Sequence, residues 1–519
     1  MVNRGGRREA VSEALIRSMS RPTSYAHPVD EIECHETPMV WILLTGNAAY
    51  KVRKPLAFGN VLDSTTLEQR RRLCENEVRF NRRLSPHHCL SVVPISGSPE
   101  SPRLGDADAP FEYAVKMRRL SHRHLSKQPD VEGGLSREWV DDVIMQVVAC
   151  HEDAQSMGSS GDSEGVLSLR DAIEDEFEWL MKRLDESGDL RRLTYLRTWM
   201  AEAFVRLQKV LSKRQRQGYV RDLHSSLRVD VVNRQGACQW QANRVPSHDA
   251  TCYQDVCSDL AGLLVDLEVR NERHMARHAL NRYLELSGDH ELARVLTFFK
   301  VYRALERARH ACQHELENDA NETCRAFLEL AEDDCEFQFP YLLIGVGVSG
   351  SGKSRFTGET IRRVGGIRLR SAVERQRLIE EERRGDQERY IPEVTERTYR
   401  RLASLSGILL ESGLPVCIDA TCLKRRQRDL LAWQAEGRGL PVILVSFEAD
   451  TTTLRARIAK RVGPGDDARV AGLSVLDRQL ADMDAFDDDE RRRLIHLDTT
   501  ADDATDTLVG LIQGHMRLD

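Results

Sequence analysis

The chain has 519 residues, 41% of them hydrophobic and 30% charged, which predicts two to four domains with real cores and excludes wholesale disorder. Its 75 Lys and Arg stand against 82 Asp and Glu, a net charge of -7. That balance argues against a general polyanion binder and leaves room only for a local basic groove.

Residues 7–19 read as an amphipathic helix ended by Ser20, Arg21 and Pro22. Strand-like stretches follow at 31–36, 40–46 and 48–54, with Gly46-Asn47 as the turn between the last two. A charged helix is predicted from Thr65 to Leu84, then strands at 90–95 and 111–120 around a polar loop. Together these make a small lobe of about five strands with one helix inserted after the third. Lys51 in the third strand and Glu77 in the helix can pair to hold nucleotide phosphates. The same two residues equally fit ordinary surface charges.

From Ser136 to about Val210 the pattern is helical, broken by a loop at 157–165. An irregular region spans 218–255 and contains the strand-like RVDVV and QWQANRV. Helices resume from Asp255 to about Leu330, and the acidic stretch 331–340 is expected as an interdomain linker. Beyond it the apolar runs YLLIGVGV, VCIDA (416–420) and PVILVSFE (441–448) alternate with helical segments. Strands alternating with helices predict a parallel sheet. The twelve cysteines form no CxxC pair and are expected as reduced, mostly buried thiols of a cytoplasmic protein. The first residues lack an apolar core of signal-peptide length, and no apolar run approaches the roughly 18 residues of a spanning helix.

The strongest signal is Gly347-Val348-Ser349-Gly350-Ser351-Gly352-Lys353-Ser354, which matches GxxxxGK[ST] between a buried strand and a helix. Glycines let successive backbone N–H groups curl around a phosphate, and the helix N-terminus adds a favourable dipole. Lys353 would reach the β- and γ-phosphates and Ser354 would ligate Mg²⁺. Only eleven residues are lysine, which weighs against a chance Gly/Ser-rich turn. Asp419 closes a buried strand, where ligands bind in open α/β sheets. It would hold Mg²⁺ through water or take a proton from an acceptor; a helix N-cap is the plainer alternative. Arg455, Arg457 and Arg461 follow in LRARIAKR, with Arg457 and Arg461 on one helix face. A lid closing on phosphates and a solvated arginine face fit that spacing equally.

Residues 340–519 resemble the small P-loop kinases of the AAA_33 type, a group that takes in gluconate-kinase-like, polynucleotide-kinase-like and chloramphenicol-phosphotransferase-like enzymes. The matching segments are GVSGSGKS, PEVTERTYRRL, VCIDATCLKRRQR, LRARIAKR and DDARVAGLSVLDRQL. The resemblance implies ATP and Mg²⁺ as cofactors and phosphoryl transfer to a hydroxyl. One departure stands out: Ala372 occupies the place of an acceptor-base Asp in RSAVERQRL, leaving Glu374 or Asp419 to substitute, or a domain that binds ATP without efficient transfer.

Residues 1–330 resemble the aminoglycoside-phosphotransferase-like proteins often fused ahead of such a domain, through VWILLTGNAAYKVRKPLAFGN, DVCSDLAGLLVDLE and LNRYLELSGDHELARVLTFFKVYRALERAR. The resemblance implies an α+β, two-lobed kinase-like fold at 1–335, ahead of an α/β P-loop domain at 336–519. It gives Lys51 and Glu77 nucleotide-holding roles and sets Met117 near the hinge. The family's His-Gly-Asp-Leu-His is matched to the segment from His224, which puts Ser226 at the base Asp and Val231 at the Mg²⁺-binding Asn. Asn243 falls where a metal-binding Asp is expected. A serine is no carboxylate base and a valine ligates no metal, so a pseudokinase-like lobe is expected. Asp222, Asp230 and Asp249 are the carboxylates left to substitute. A non-catalytic ATP-binding scaffold is the alternative function. A nucleic-acid 5'-hydroxyl kinase is another, resting on family breadth and on arginine-rich segments such as KRRQR (424–428).

Overall fold

Side-chain parity shapes the N-terminal sheet. A computed structural model describes residues 5–29, 31–36, 40–58, 62–84, 89–118, 135–157, 162–223, 253–314, 319–336, 339–384, 391–462 and 466–517. They fall into two compact units, 1–173 with 211–266 and 174–210 with 267–519. In the first unit the order is α1 (Gly5–Met19), β1 (Ile32–Glu36), β2 (Val40–Thr45), β3 (Ala48–Arg53) and a short hairpin, β4 (Ala57–Phe58) with β5 (Leu62–Asp63). Then come α2 (Leu67–Leu84), β6 (Cys89–Ser98), β7 (Ser101–Leu104) and β8 (Glu112–Arg118). The six-stranded sheet runs β1-β2-β3-β8-β6-β7, antiparallel throughout. It differs from the five-strand expectation because the polar loop after β6 folds back as β7.

Successive residues of a strand face opposite sides. Tyr50 and Val52 join Leu15, Met19, Trp41, Leu43 and Ile95 in an apolar cluster that takes in α1. Lys51 and Arg53, one residue out of phase, turn to Glu77 of α2. On that side Cys74 and Val78 of α2 pack with Val115, Val92 and Met117. Helix α3 (Arg137–Asp153) follows, then α4 (Asp162–Arg183), which passes into the second unit at residue 174, and α5 (Ser187–Arg216), which belongs to that unit up to residue 210. Strands β9 (Val220–Asp222) and β10 (Tyr253–Asp255) pair antiparallel ahead of α6 (Val256–Val269). RVDVV and QWQANRV lie outside the described residues, as do His224, Ser226, Asp230, Val231, Asn243 and Asp249.

The second unit contains α7 (Arg273–Ser287), α8 (Ala293–His314) and α9 (Asp319–Cys335). Sequence reading groups these helices with the N-terminal domain; they fall in the same compact unit as the C-terminal sheet. Residues 331–335 of the expected linker are the last turns of α9. The rest runs β11 (Leu342–Val346), α10 (Lys353–Val364), β12 (Ile367–Arg370), α11 (Ser371–Arg384), α12 (Ile391–Glu411), β13 (Val416–Asp419) and α13 (Arg425–Glu436). It ends with β14 (Val442–Glu448), α14 (Thr451–Val462), α15 (Asp466–Ala481), α16 (Asp488–Arg492), β15 (Leu494–Asp498) and α17 (Ala504–Arg517).

All five strands are parallel, in the order β12-β13-β11-β14-β15. β11 is central because LLIGV is buried on both faces, the continuous apolar run that a parallel sheet demands. From β11 the chain goes first to one side, through β12 and β13, and then to the other. Its C-terminal end is therefore the topological switch point, where open α/β sheets bind ligands. Leu343, Val445, Phe447 and Leu497 pack with Phe356 and Ile361 of α10 and Leu508 and Ile512 of α17. Each such buried side chain stabilises the fold by about 1.5–3 kcal/mol. No helix among the described residues is long and apolar enough to cross a membrane.

Candidate functional site

The loop 347–352 leaves the C-terminal end of β11 and turns straight into α10. Gly352 sits at the N-cap with φ +89°, a left-handed conformation that costs L side chains free energy and glycine little. At Gly347 (φ +154°) an added Cβ would stand 2.9 Å from the Phe447 carbonyl and 2.8 Å from Ser351 Oγ. At Gly350 an added Cβ would stand 3.0 Å from the Leu454 carbonyl of α14. Ser351 is buried, and the Ser349 N–H donates to Gln479 Oε1 of α15 at 2.7 Å.

Lys353 opens α10, and its side chain folds back over the loop, donating to the carbonyls of Gly347 at 2.7 Å and Val348 at 2.9 Å. The ammonium is thus held above the loop by acceptors that a phosphate oxygen would replace. Ser354 Oγ donates to Asp419 Oδ1 at 3.1 Å. Asp419 is 6% exposed, and its Oδ2 is buried with no hydrogen-bond partner among the described residues. Arg370 Nε stands 3.7 Å from that oxygen, beyond hydrogen-bonding range. A serine hydroxyl beside a buried carboxylate with one unsatisfied oxygen is a donor set that fits a hard divalent cation, directly or through water.

The flanks of the site are held by residues far apart in sequence. Gly347 N–H donates to the Thr421 carbonyl at 3.0 Å. The buried Tyr399 hydroxyl accepts from Cys422 N–H at 3.0 Å and lies 3.3 Å from Thr421 Oγ1. Burial pushes the Tyr399 phenol up and the Cys422 thiol to about 12, with Lys353 opposing the latter, so neither ionises near neutrality. Arg457 reaches across to the Gly350 carbonyl and to both oxygens of Thr499. It lies beside the loop, already engaged. Arg461 belongs to α14, but its side chain is outside the described residues. Arg455 pairs with Asp477 on the surface.

Ala372 lies in the first turn of α11, directly after β12. Glu374 is 2% exposed and both its oxygens are taken, one by Arg377 and the other by Arg401 at 2.8 Å. Glu374 thus has both oxygens engaged, whereas Asp419 keeps one oxygen without a hydrogen-bond partner among the described residues. The KRRQR segment is largely neutralised: Lys424 contacts Asp484, Arg425 contacts Asp487, and the buried Arg428 binds Glu490. Arg370, Gln479, Thr499 and Tyr399 went unread in the sequence, since nothing local marks them.

In the first unit Lys51 Nζ donates to Glu77 Oε1 at 2.9 Å, and Arg53 Nη2 to Oε2 at 2.6 Å. Burial presses the Glu77 carboxyl up, but Lys51 and Arg53 together outweigh it and hold it below the ordinary glutamate value. Arg53 was missed, although its i+2 spacing from Lys51 puts it on the same face. Met117 pairs with Ala49 near the end of β8. Asp222, at the end of β9, is 2% exposed and lies 3.7 Å from Arg79 of α2.

Residues 342–486 match the AAA domain family AAA_33. The loop strand, Ser354, Asp419 and Arg457 all fall within that span. Over nearly its whole length the chain is similar to an uncharacterized protein of Mycobacterium tuberculosis strain H37Rv, 26% identical over 478 residues, 89% of this chain and 93% of that one. A Mycobacterium bovis protein gives the same figures. Among solved structures, an unliganded sugar kinase from Janibacter sp. aligns at 23% identity and a TM-score of 0.26, covering 34% of this chain and 95% of its own. A Sinorhizobium meliloti gluconokinase aligns at 21% identity and 0.26, covering 34% and 98%.

Proposed function

We propose that this protein binds ATP with Mg²⁺ at residues 347–354 and transfers the γ-phosphate to a hydroxyl of a small molecule. The observation that carries the reading is the conjunction at the switch point of the sheet: a glycine loop, Lys353 poised over it, and Ser354 facing the half-satisfied Asp419. Backbone N–H groups of the loop and Lys353 bind the phosphates. Ser354 and Asp419 hold the metal, which when bound neutralises charge on the phosphate oxygens. As the acceptor oxygen bonds to the γ-phosphorus and the bond to the β–γ bridging oxygen breaks, the hydroxyl proton passes to Asp419, whose hold on the metal would then be through water. Arg457 and Arg461 supply further positive charge from α14. Gly347, Ser349, Gly350, Ser351 and Gly352 shape the cradle.

The N-terminal unit fits a degenerate, aminoglycoside-phosphotransferase-like kinase lobe. An antiparallel sheet whose strand lysine pairs with a helix glutamate supports that assignment, and the losses at Ser226, Val231 and Asn243 are read from sequence alone. We place the protein in the cytoplasm. Ala372 and the twice-clamped Glu374 favour a second reading, an ATP-binding regulatory or scaffold protein without turnover. The neutralised KRRQR segment weighs against a nucleic-acid acceptor.

Calorimetric titration with Mg·ATP tests the site. Lys353→Ala removes charge-assisted hydrogen bonds of about 1.5–3 kcal/mol each, so affinity should fall by about 10- to 100-fold. Asp419→Asn should keep ATP affinity at saturating magnesium within a few-fold while any turnover falls by about 10²–10⁴. Undiminished binding in Lys353→Ala would place the nucleotide elsewhere. Slow ATP consumption that quickens with one hydroxyl compound would separate the kinase from the scaffold.

A further inference from the structure

Helix α7 is fastened to the outer strand of the nucleotide sheet. Asn281 Nδ2 donates to the Gly366 carbonyl at 3.0 Å and its Oδ1 accepts from the Arg368 N–H at 2.7 Å. One side-chain amide thus satisfies a donor and an acceptor of edge strand β12, as a neighbouring strand would. About one turn further along α7, Arg377 of α11 donates to the carbonyls of Leu284 and Glu285, near the helix C-terminus where a cation is favoured.

Glu285, whose carbonyl takes part in the second tie, has a side chain only 10% exposed. Oε1 accepts from Arg368 Nη2 at 2.9 Å and Oε2 from Arg370 Nη1 at 3.4 Å. Arg368 Nη1 goes on to the Ser354 carbonyl at 2.9 Å. Arg370 is the register neighbour of Asp419 across the parallel pair β12/β13, and its Nε is the cation 3.7 Å from Asp419 Oδ2. The guanidinium therefore lies between two carboxylates, hydrogen-bonded to Glu285 and short of hydrogen-bonding range from Asp419.

We propose that Glu285 is a positioning residue of the nucleotide site: by holding Arg370 it keeps the Asp419 carboxylate available to magnesium. The proposal rests on residues 347–354 being a Mg·ATP site. Without the Glu285 charge, Arg370 closes on Asp419, fills the unsatisfied Oδ2 and competes with the cation for the same oxygen. An ion pair of ordinary surface strength is worth up to about 1 kcal/mol, so the magnesium concentration for half-maximal ATP binding should rise about fivefold.

The test is ATP binding by the full-length chain, titrated calorimetrically over a series of magnesium concentrations. Glu285→Gln should raise the magnesium midpoint; Arg370→Gln should leave it at or below that of the parent. Combining the two should return it to the Arg370→Gln value, because the competing cation is gone. Asn281→Ala, which removes one tie of α7 to β12 and leaves the Glu285 and Arg377 ties in place, should move it less than Glu285→Gln does. An unshifted midpoint in Glu285→Gln, or a double variant as impaired as Glu285→Gln, overturns the proposal. Should Glu285→Gln fail to fold, Arg370→Gln decides alone, and a raised midpoint there overturns it. A parent that binds no ATP at any magnesium concentration, or binding indifferent to Lys353→Ala, overturns the reading of the site itself. A Lys353-dependent parent with an unshifted Glu285→Gln overturns only the role of Glu285.

Discussion

Arg428→Ala asks whether the cationic segment 424–428 reads nucleic acid or holds the fold together. The Arg428 and Glu490 side chains are 1% and 2% exposed. They meet through Nε at 2.5 Å and Nη2 at 3.0 Å. Arg428 also donates to the carbonyls of Cys422, Leu423 and Ala485, tying the residues after β13 to the acidic stretch before α16. Truncation leaves a buried carboxylate unpaired, which costs about 3–5 kcal/mol. With a urea dependence of roughly 2–3 kcal/mol per molar, the midpoint should fall by about 1–2.5 M. Hydrogen exchange at α13 and α16 localises the loss to this clasp. Arg428→Met with Glu490→Gln removes both charges, keeps the Asp487 N–H capped, and should recover part of the stability. Exposed Arg426→Ala should stay within about 0.5 kcal/mol of the parent. An Arg428→Ala variant within 1 kcal/mol of the parent that had lost binding to a single-stranded oligonucleotide would refute the structural account.

The remaining predictions concern charge and pH. Burial pushes Asp334 up to about 6, with Lys300 opposing and Glu268 adding to the rise. A raised carboxyl contributes stability below its unfolded value that is lost as pH rises through about 6, so Asp334→Asn should flatten the thermal-melt profile between about pH 4 and 7. Glu77 has the opposite sign: its lowered value gives stability above the ordinary glutamate range that is lost as pH falls through the folded value. Glu77→Gln should therefore be destabilised at neutral pH, with the gap to the parent closing in acid.

Much of the second unit was legible because its chemistry is contiguous. Eight successive residues spell the phosphate loop, and β11, β13 and β14 are apolar runs buried on both faces. The outer strands β12 and β15, IRLR and LIHLD, alternate instead and were passed over. With β12 went Arg370, whose Nε lies 3.7 Å from Asp419. The acidic stretch 331–340 reads as a linker because its charges dominate the composition. In the fold its acids at 331–335 form the polar face of α9, with Glu332 on Arg192 and Asp334 on Lys300. Gln479 meets Ser349 of the loop across 130 residues, Thr499 meets Arg457 across 42 and Tyr399 meets Cys422 across 23, and no local pattern reports such meetings.

That misread stretch bears on where the nucleotide domain begins. Cutting at 335/336 removes α7, α8 and α9 from their compact unit. Edge strand β12 then loses Asn281, Arg368 and Arg370 lose Glu285, Arg377 loses the α7 carbonyls, and Glu411 loses Arg294. At about 1 kcal/mol per hydrogen bond, the combined loss is several kcal/mol, a large share of the 5–15 kcal/mol that typically holds a domain. A fragment of residues 336–519 should therefore aggregate on size-exclusion chromatography, or unfold at lower urea than the same residues in the whole chain. Residues 174–519, which keep both segments of the unit, should remain free of aggregate and bind Mg·ATP in a Lys353-dependent way. A monomeric 336–519 fragment with the parent's affinity and urea midpoint would show that α7 to α9 are dispensable to the nucleotide domain, and would remove the frame on which the role of Glu285 depends.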